Sequence, residues 1–273
     1  MSFREKLAHA AEKNRSLLCV GLDPDPARIP ASEIASYLCA VVEATSDLVC
    51  AYKPNLAFYE QLGEAGYAAL RTVLSAIPKE IPTIADAKRG DVAHTAEAYA
   101  RAIFDQLGFD AATVNPYLGG DAVAPFVGRA DRGVFIVCRT SNPGAVDLQD
   151  LTVATAAGGR PLYQAVAGLA RQWDRHGNVG LVVGATYPDE MRALRALCPE
   201  MPFLVPGIGP QAGELARSVQ AGLDARGGGL IINASRAVLY ASEGADYAEA
   251  ARSAAQRLRD EIEQHRLAVQ ASR

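Results

Sequence analysis

Eight short apolar runs, rich in β-branched residues, alternate along the chain with longer segments of helical period. Because their apolar residues are nearly continuous rather than alternating, these runs predict parallel strands that are buried on both faces. The predicted strands cover residues 16–23, 47–55, 82–88, 111–117, 133–141, 179–186, 202–209 and 229–236. The segments between them include predicted helices over residues 94–108 and 189–198, and an amphipathic helix from about residue 246 to about residue 266 follows the last strand.

This alternation predicts the architecture. Eight strand–helix units without a linker or a break in composition indicate a (β/α)₈ barrel, a TIM barrel, as a single domain over residues 1–273, with a C-terminal tail that we expect to fray from about residue 267. A doubly wound open sheet is the alternative, but the loop after the first strand, GLDPDPARIP, lacks the G-x-G-x-x-G fingerprint. One connection is longer than the others, because residues 142–164 separate the fifth predicted strand from the next helix. Unstructured connections of that length usually form lids or binding loops.

Composition narrows the classes of function. The 273 residues are 49% hydrophobic and 21% charged, which is enough apolar material for a sizeable core. The net charge of −4 argues against a general affinity for nucleic acid or for anionic membranes, and no apolar run is long enough to span a bilayer. The N-terminal segment lacks the apolar core of a signal peptide, and five scattered cysteines are typical of buried thiols in a reducing compartment. We therefore expect a cytoplasmic protein.

Polar side chains collect where the predicted strands end. In a barrel of this kind the C-terminal ends of the strands surround the active site. The polar residues at these ends are Asp23, Lys53, Asn55, Asp86, Lys88, Arg139, Thr140, Ser141, Asn142, Ser235 and Arg236. Their concentration at most of the strand ends indicates one shared site at the mouth of the barrel. The four histidines are far apart, and no pair has the spacing of metal ligands.

The third strand ends in the most highly charged of these corners, within IPTIADAKRGDVAHTAEAYA. Asp86 and Lys88 are two residues apart, so their side chains point to the same side while the chain stays extended. An ammonium group held between carboxylates suits a proton donor or a fixed cation, whereas a Schiff-base lysine must be neutral. The alternative is a solvated loop in which Asp91 is the N-cap of the next helix, and Asp91 could serve both purposes.

A second candidate subsite follows the seventh and eighth strands. The segments PGIGPQAG and NASRAV offer glycine amides, Gln211 and Arg236, and these groups together suit a phosphate dianion. Barrels of this fold often bind phosphate at this place. The alternative is that the glycines are only turn residues.

These motifs resemble those of one family. The signature DAKRGD resembles the Asp-x-Lys-x-x-Asp motif of orotidine 5′-phosphate decarboxylases, and GLDPDP, YKPNLAFYE, CRTSNPG, DLQDL, PGIGPQ and NASRAVLYA are similar to motifs of the second bacterial subgroup of that family. The resemblance extends from about Phe3 to about Ala255. It implies a barrel that forms uridine 5′-monophosphate (UMP) from orotidine 5′-monophosphate (OMP) without a cofactor or a metal, as a homodimer with shared active sites.

The resemblance also implies roles for individual residues. Lys88 would donate the proton to C6, Asp86 would lie beside the substrate's carboxylate, and Asp91 would cross the dimer interface. The other implied substrate-binding residues are Asp23 and Lys53 for the ribose hydroxyls, Ser141 for the pyrimidine, Pro206, Gln211 and Arg236 for the phosphate, Val92 and Thr95 near Asp91, and Asn55 and Ser235. Many relatives have Gly-Arg where this chain has Ser235-Arg236, a change that should keep the backbone amides but alter the local backbone shape.

Two other functions stay open at this point. A metal-dependent decarboxylase or aldolase of sugar phosphates shares the Asp-x-Lys-x-x-Asp signature, but it uses an acidic magnesium ligand at the end of the second strand, where this chain has Lys53. A non-catalytic barrel that binds a nucleotide or a sugar phosphate would need only the phosphate site.

Overall fold

The computed structural model describes residues 1–155, 158–207 and 212–272. Its strands are β1 (Leu18–Gly21), β2 (Ala51–Lys53), β3 (Ile84–Arg89), β4 (Ala111–Val114), β5 (Gly133–Arg139), β6 (Thr152–Thr155), β7 (Gly158–Pro161), β8 (Val179–Val183), β9 (Phe203–Val205) and β10 (Leu230–Ala234). Eight of them form one parallel sheet in the order β2-β1-β10-β9-β8-β5-β4-β3. The two outer strands of this order meet through the parallel bridges Tyr52–Thr83 and Asn55–Asp86, which join the ends of the sheet. The predicted (β/α)₈ barrel is confirmed.

Helices alternate with these strands. They are α1 (Phe3–Lys13), α2 (Ile34–Thr45), α3 (Ala57–Glu60), α4 (Gly63–Ala76), α5 (Ala93–Arg101), α6 (Gly120–Val127), α7 (Leu162–Trp173), α8 (Pro188–Leu197), α9 (Ala212–Gly222), α10 (Arg236–Leu239) and α11 (Tyr247–Ala271). A π-helical turn, Ala102–Gln106, continues α5, so the helix predicted over residues 94–108 changes its geometry part-way along. Helix α1 begins at a capping box in which Ser2 and Glu5 satisfy each other's backbone amides.

The N-terminal end of the barrel is plugged by α1. The ring of Phe3 enters the barrel and packs edge-on against Phe135, with 5.7 Å between the ring centroids and 86° between the planes. Gly133 permits this approach, because a Cβ at that position would lie 2.3 Å from the Phe3 ring. A second, larger apolar layer fills the space between the strands and the outer helices. The opposite end of the barrel, where the strands terminate, therefore carries the site.

The described parts of the segment between β5 and α7 form regular structure, so the expectation of an unstructured connection is wrong for residues 143–155 and 158–161. A 3₁₀ turn, Pro143–Asp147, is followed by the antiparallel hairpin of β6 and β7. The side chain of Gln149 fixes this segment to the end of β5, because it accepts a hydrogen bond from the Thr140 amide at 2.8 Å and donates one to the Thr140 hydroxyl at 2.8 Å. Hydrogen bonds of this kind satisfy the backbone of a segment outside the main sheet, and the order of residues alone does not predict them.

Helix α11 continues to Ala271, beyond residue 267, and the expected fraying of the tail stays a prediction. Val269 packs against the outer apolar layer. The side chain of Gln270 lies against Gly227, where a Cβ would be 1.9 Å from its Nε2 atom. These two contacts hold the last turn of the helix in place. Within the described part of the chain, no helix combines the length and the apolar character needed to cross a bilayer.

Candidate active site

Two lysines share one carboxylate at the mouth of the barrel. The Nζ atom of Lys53, at the end of β2, lies 2.9 Å from Oδ2 of Asp86, and the Nζ atom of Lys88 lies 2.6 Å from Oδ1. The side chains of Lys53 and Asp86 are 3% and 11% exposed, whereas that of Lys88 is 48% exposed. One ammonium group is therefore buried against Asp86, and the other faces the opening, where a substrate would enter.

The charges of this cluster support one another. Burial alone raises the pKa of Asp86, but the adjacent Lys53 and Lys88 ammonium groups outweigh burial and bring that pKa down to about 2. Burial lowers the pKa of Lys53, but Asp23 and Asp86 outweigh it, and the net direction is upward. Both Asp86 and Lys53 are consequently charged at neutral pH.

The backbone around Lys88 departs from the regular strand that the sequence predicts. Asp86 and Lys88 do contact each other, but Lys88 has a left-handed φ of 45°, and the pairing of β3 with β4 shifts register between Ala85 and Arg89. Such bulges often re-aim side chains next to active sites. The Lys88 side chain therefore reaches Asp86 across a bulge rather than along an extended chain.

Asp23 is fixed from two neighbouring strand ends. Its Oδ1 atom accepts a hydrogen bond from the Asn55 amide at 3.0 Å, and its Oδ2 atom accepts one from the Ser235 hydroxyl at 2.6 Å. The side-chain amide of Asn233 donates to the same Ser235 hydroxyl at 3.3 Å. The predicted residues Asp23, Asn55 and Ser235 thus meet, and Ser235 contributes its side chain, not only the backbone that the sequence suggested.

The ends of β5 and β9 approach each other on the other side of the mouth. A Cβ at Gly207, whose φ is 89°, would lie 3.1 Å from the Ser141 hydroxyl, and the carbonyl of Pro206 accepts a hydrogen bond from the Ala185 amide at 3.2 Å. Arg236 is exposed at the first position of α10, directly after Ser235. The predicted phosphate ligand Gln211 lies outside the described residues.

The hydrogen bond of Asp91 is to the start of the next helix rather than to the lysine cluster. Its carboxylate accepts a hydrogen bond from the Val92 amide at 2.7 Å. Helix α5 has Val92 as its N-cap, without a side-chain cap bond, so the alternative in which Asp91 caps this helix is wrong. Val92 is exposed, and the Thr95 hydroxyl contacts His94. None of the hydrogen bonds formed within the described chain joins Asp91, Val92 or Thr95 to Asp86 or Lys88.

Comparison with known proteins identifies the family. The sequence matches the orotidine 5′-phosphate decarboxylase / HUMPS family over residues 16–253. The chain belongs to this family. It is 55% identical to the orotidine 5′-phosphate decarboxylase of Thermomicrobium roseum, with 98% of each chain covered. The predicted family is thus confirmed.

Solved structures agree with this assignment. The OMP decarboxylase of Leishmania donovani superposes with a TM-score of 0.87 and 45% identity, over 98% of this chain and 100% of that one. The UMP synthase of the same organism superposes with a TM-score of 0.89 and 46% identity, over 98% of this chain and 57% of that one. The likeness therefore covers the whole barrel rather than a single motif.

Two features of this decarboxylase-family site escape sequence reasoning. Thr113, in the middle of β4, is 1% exposed, and its hydroxyl donates a hydrogen bond to Oδ1 of Asp86 at 3.0 Å. Threonine is common in strands, so its presence in β4 does not by itself indicate a functional role. The only signal in the sequence is that a polar residue interrupts an apolar strand next to the one that carries Asp86. Arg139, which the sequence places at the mouth, is instead buried over the ring of Tyr187, with its guanidinium carbon 4.0 Å from the ring centroid.

The described residues also bear on metal binding. Across residues 1–155, 158–207 and 212–272, no group of three or more His, Cys, Asp or Glu side chains is arranged to hold a metal ion. The Asp86 carboxylate, the strongest acidic candidate at the mouth, has both oxygen atoms within 3 Å of an ammonium nitrogen, at 2.9 and 2.6 Å. Two adjacent cations repel a divalent ion from that carboxylate.

Proposed function

We propose that this chain decarboxylates OMP to UMP in pyrimidine biosynthesis, with Lys88 as the proton donor. The membership of the orotidine 5′-phosphate decarboxylase family supports the reaction. The observation that carries the role of Lys88 is the cluster at the mouth, in which a half-exposed ammonium group is held by an ionised, nearly buried carboxylate. The chain thereby presents a fixed positive charge and a proton at the entrance of the barrel.

The reaction needs both of these properties. When the bond between C6 and the carboxylate carbon breaks, CO₂ leaves and its bonding electron pair stays on C6. The Lys88 ammonium stabilises this negative charge as it develops, because the group is held in place before the reaction begins. It then transfers a proton from Nζ to C6, which forms the C–H bond of UMP, and solvent returns a proton to Nζ.

Asp86 acts on the other side of the same step. Its carboxylate stays ionised at neutral pH, since its pKa is about 2. Placed beside the substrate's carboxylate, it repels that group in the bound substrate, and the repulsion is relieved as CO₂ departs. Hydrogen bonds from Thr113 and Lys53 hold the Asp86 carboxylate, so that it cannot move away from the substrate's carboxylate when the substrate binds.

The rest of the mouth binds the parts of the substrate that do not react. We assign the ribose hydroxyls to Asp23 and Lys53, with Asn55 and Ser235 holding Asp23. The pyrimidine is assigned to Ser141, which lies against the β9 loop. Binding energy from remote groups can be used to hold the reacting carbon against Lys88, so these contacts should contribute to the rate as well as to affinity.

The phosphate is assigned to the exposed Arg236, together with Pro206 and Gln211 of the loop after β9. A guanidinium group matches a phosphate dianion in charge and in geometry. Arg236 follows β10, which β1 separates from β2 and its Lys53, as expected for a contact to the far end of a nucleotide. Gln211 remains a prediction from the sequence.

The active site is completed, in this proposal, by a second copy of the chain. The Asp91 carboxylate is hydrogen-bonded to the Val92 amide, and exposed apolar side chains follow the neighbouring strands β3 and β4, namely Val92, Tyr117 and Leu118. Exposed apolar patches of this kind mark interaction surfaces. A two-fold interface formed there would place the same corner of both chains face to face, so that each Asp91 enters the partner's site near Lys88, with Val92 and Thr95 beside it.

Mixed dimers test this sharing. Lys88→Ala and Asp91→Ala homodimers should each be nearly inactive. After subunit exchange, about half of the dimers are mixed, and in each of these one site carries both substitutions and the other carries neither, so activity should recover to about a quarter of wild type. If exchange is confirmed by differently tagged chains and activity stays at the level of the mutants, Asp91 acts within its own chain.

The reaction itself is tested by the decay of OMP absorbance with purified, chelator-treated protein. We expect full turnover, because the chain's own ammonium group supplies the positive charge. Activity that is lost in the chelator and restored by magnesium would instead favour the metal-dependent decarboxylase or aldolase of sugar phosphates. Thermal stabilisation by UMP without turnover of OMP would favour a non-catalytic barrel.

We also infer a cytoplasmic location. All five cysteines are free thiols, and four of them are buried. Unpaired cysteines are typical of a reducing compartment. Fractionation of cells followed by immunodetection checks the location, and recovery of the protein outside the cytosolic fraction would overturn it.

A further inference from the structure

One hydroxyl group links β4 to three successive residues of the catalytic corner. The Oγ1 atom of Thr113 accepts hydrogen bonds from the amides of Ala87 and Lys88, at 3.0 and 2.9 Å, and donates to Oδ1 of Asp86 at 3.0 Å. A threonine hydroxyl has one proton and two lone pairs. All three are used here, in a side chain that is 1% exposed.

The bulge in β3 explains why this hydroxyl is needed. Ala85 pairs with Ala112 and Arg89 pairs with Val114, so three residues of β3 lie opposite the single residue Thr113. A regular ladder would offer the amides of the bulged residues backbone carbonyls, and the shift in register removes those partners. The Thr113 hydroxyl accepts from both amides in place of those carbonyls, since a partly buried amide without an acceptor is destabilising.

The same hydroxyl determines where the charges lie. Lys88 has a φ of 45°, a conformation that residues other than glycine rarely adopt, and its amide is bound to Thr113. The Lys88 ammonium and the Thr113 hydroxyl also meet on the same oxygen, Oδ1 of Asp86. Both the backbone and the carboxylate partner of Lys88 are therefore held by one side chain.

We propose that Thr113 is a positioning residue for the proton transfer. It holds the bulged backbone of Lys88 and the carboxylate of Asp86 in the arrangement that aims the ammonium at the reacting carbon. This inference rests on the proposed function, because it assumes that Lys88 and Asp86 act on the substrate. Thr113 is 1% exposed, and its hydroxyl is fully used by Asp86 and by the amides of Ala87 and Lys88, so its effect on the reaction passes through these residues.

The test compares two substitutions that differ in hydrogen bonding. Thr113→Val keeps the shape of the side chain and removes all three hydrogen bonds, and kcat should fall about 100-fold, the scale expected for a displacement of about 1 Å at a reacting group. The Kd of UMP should stay within a few-fold of wild type, because the assigned ribose and phosphate contacts lie on other strands. Thr113→Ser restores the hydroxyl and should return kcat to within a few-fold of wild type.

A matched control lies at the closed end of the barrel, where Thr83 directly precedes β3 and Asp110 directly precedes β4. Thr83 is also buried, and its hydroxyl donates to Oδ2 of Asp110 at 3.1 Å. Thr83→Val removes a buried threonine–aspartate bond of the same type, far from Lys88. It should lower Tm and leave kcat within about 2-fold of wild type, which separates loss of stability from loss of positioning.

The possible outcomes distinguish this inference from the proposal beneath it. If Lys88→Ala abolishes turnover while Thr113→Val keeps kcat within 3-fold of wild type, Thr113 does not position the site. An equal fall in kcat for Thr113→Ser, or a loss of UMP affinity as large as the loss of kcat, also overturns the inference. If Lys88→Ala remains active, it is the proposed function that fails. Thr113→Ala, which adds no bulk, supplies the same comparison should the valine variant not fold.

Discussion

Asp86 at the open mouth and Asp110 at the closed end are built from the same kinds of partner, yet only one of them forms a site. Each carboxylate accepts a hydrogen bond from a buried threonine on the neighbouring strand and is paired with lysine. At the closed end both oxygens of Asp110 are bound by the one ammonium group of Lys6, at 2.9 and 2.8 Å. At the mouth the two oxygens of Asp86 are divided between two different lysines.

The number of lysines that bind each carboxylate has a chemical consequence. The pair of Asp110 and Lys6 is self-contained, with side chains that are 19% and 16% exposed, and it joins α1 to the barrel. At the mouth two ammonium groups contact the single carboxylate of Asp86, and one of them, on Lys88, is half-exposed. A structural ion pair thus becomes a candidate catalytic cluster when a second cation shares the carboxylate and faces solvent.

The largest expected effect separates the two lysines. Lys88→Ala should lower kcat by at least about 1,000-fold, because it removes the group proposed as proton donor and as fixed positive charge, while Tm changes little at this half-exposed position. Lys6→Ala should do the reverse, with a loss of about 1 to 3 kcal/mol in the free energy of unfolding and kcat unchanged. Steady-state kinetics and denaturant unfolding of both variants measure these effects. Similar kinetic losses in the two variants would mean that the ends of the barrel do not differ as described.

A smaller effect is expected at the phosphate end of the mouth. Arg236→Ala removes the cation proposed to bind the phosphate, a charge-assisted contact worth about 1.5 to 3 kcal/mol, and kcat/KM for OMP should fall roughly 10- to 200-fold. Because the contact is remote from the reacting carbon, free phosphite should partly restore turnover of a substrate truncated at the phosphate by the wild-type enzyme. Wild-type turnover of OMP by the Arg236→Ala enzyme would show that the phosphate binds elsewhere.

The sequence predicts the strands and the charged residues at the mouth of the barrel, but not the contacts that position them. The eight apolar runs predicted the strands, since parallel strands buried on both faces leave that pattern. The charged strand ends predicted Asp23, Lys53, Asp86 and Lys88 at one mouth because the C-terminal ends of all barrel strands meet there. These inferences required only the order of residues and the closure of the barrel.

The remaining features depend on contacts that residue order does not contain. The left-handed Lys88 and the role of Thr113 arise from a two-residue difference in the register of β3 and β4. The hairpin of β6 and β7 and the helical tail are held by Gln149 and Val269 through contacts with distant parts of the chain. Arg139 looked like a site residue because it ends a strand, but an adjacent bulge and the ring of Tyr187 bury it.

The dependence of the free energy of unfolding on pH in acid provides a further test of the charge assigned to Asp86. Since the pKa of Asp86 is depressed to about 2 in the folded chain, its contribution to stability is fully present above the unfolded value near 4 and is lost as pH falls from about 4 to about 2. The size of this component is on the order of 2 kcal/mol. Urea unfolding of wild type between pH 6 and pH 2 should include it, and Asp86→Asn should lack it. An identical pH dependence in both proteins would contradict the ionised state assigned to Asp86.

The smallest effect concerns the contact between Ser235 and Asp23, which has no counterpart at the closed end. Ser235→Gly removes one hydrogen bond from Asp23 and should raise KM for OMP by about 2- to 10-fold with little change in kcat, because Asp23 is assigned to the ribose. The backbone opposite this serine offers a sharper measurement. A Cβ at Gly21 would lie 1.9 Å from the Ser235 hydroxyl and 3.1 Å from Oδ2 of Asp23.

Gly21→Ala should therefore push Ser235 away from Asp23 and weaken substrate binding more than Ser235→Gly does, since it adds a steric clash to the lost hydrogen bond. In the Gly21→Ala/Ser235→Gly double variant the clash with the Ser235 side chain is absent and only the 3.1 Å contact with Asp23 remains, so KM should fall close to the value of Ser235→Gly alone. A double-mutant cycle on KM and on the free energy of unfolding measures this coupling. Additive effects would mean that Gly21 and Ser235 do not compete for the same space, and that Asp23 is held chiefly by the amide of Asn55.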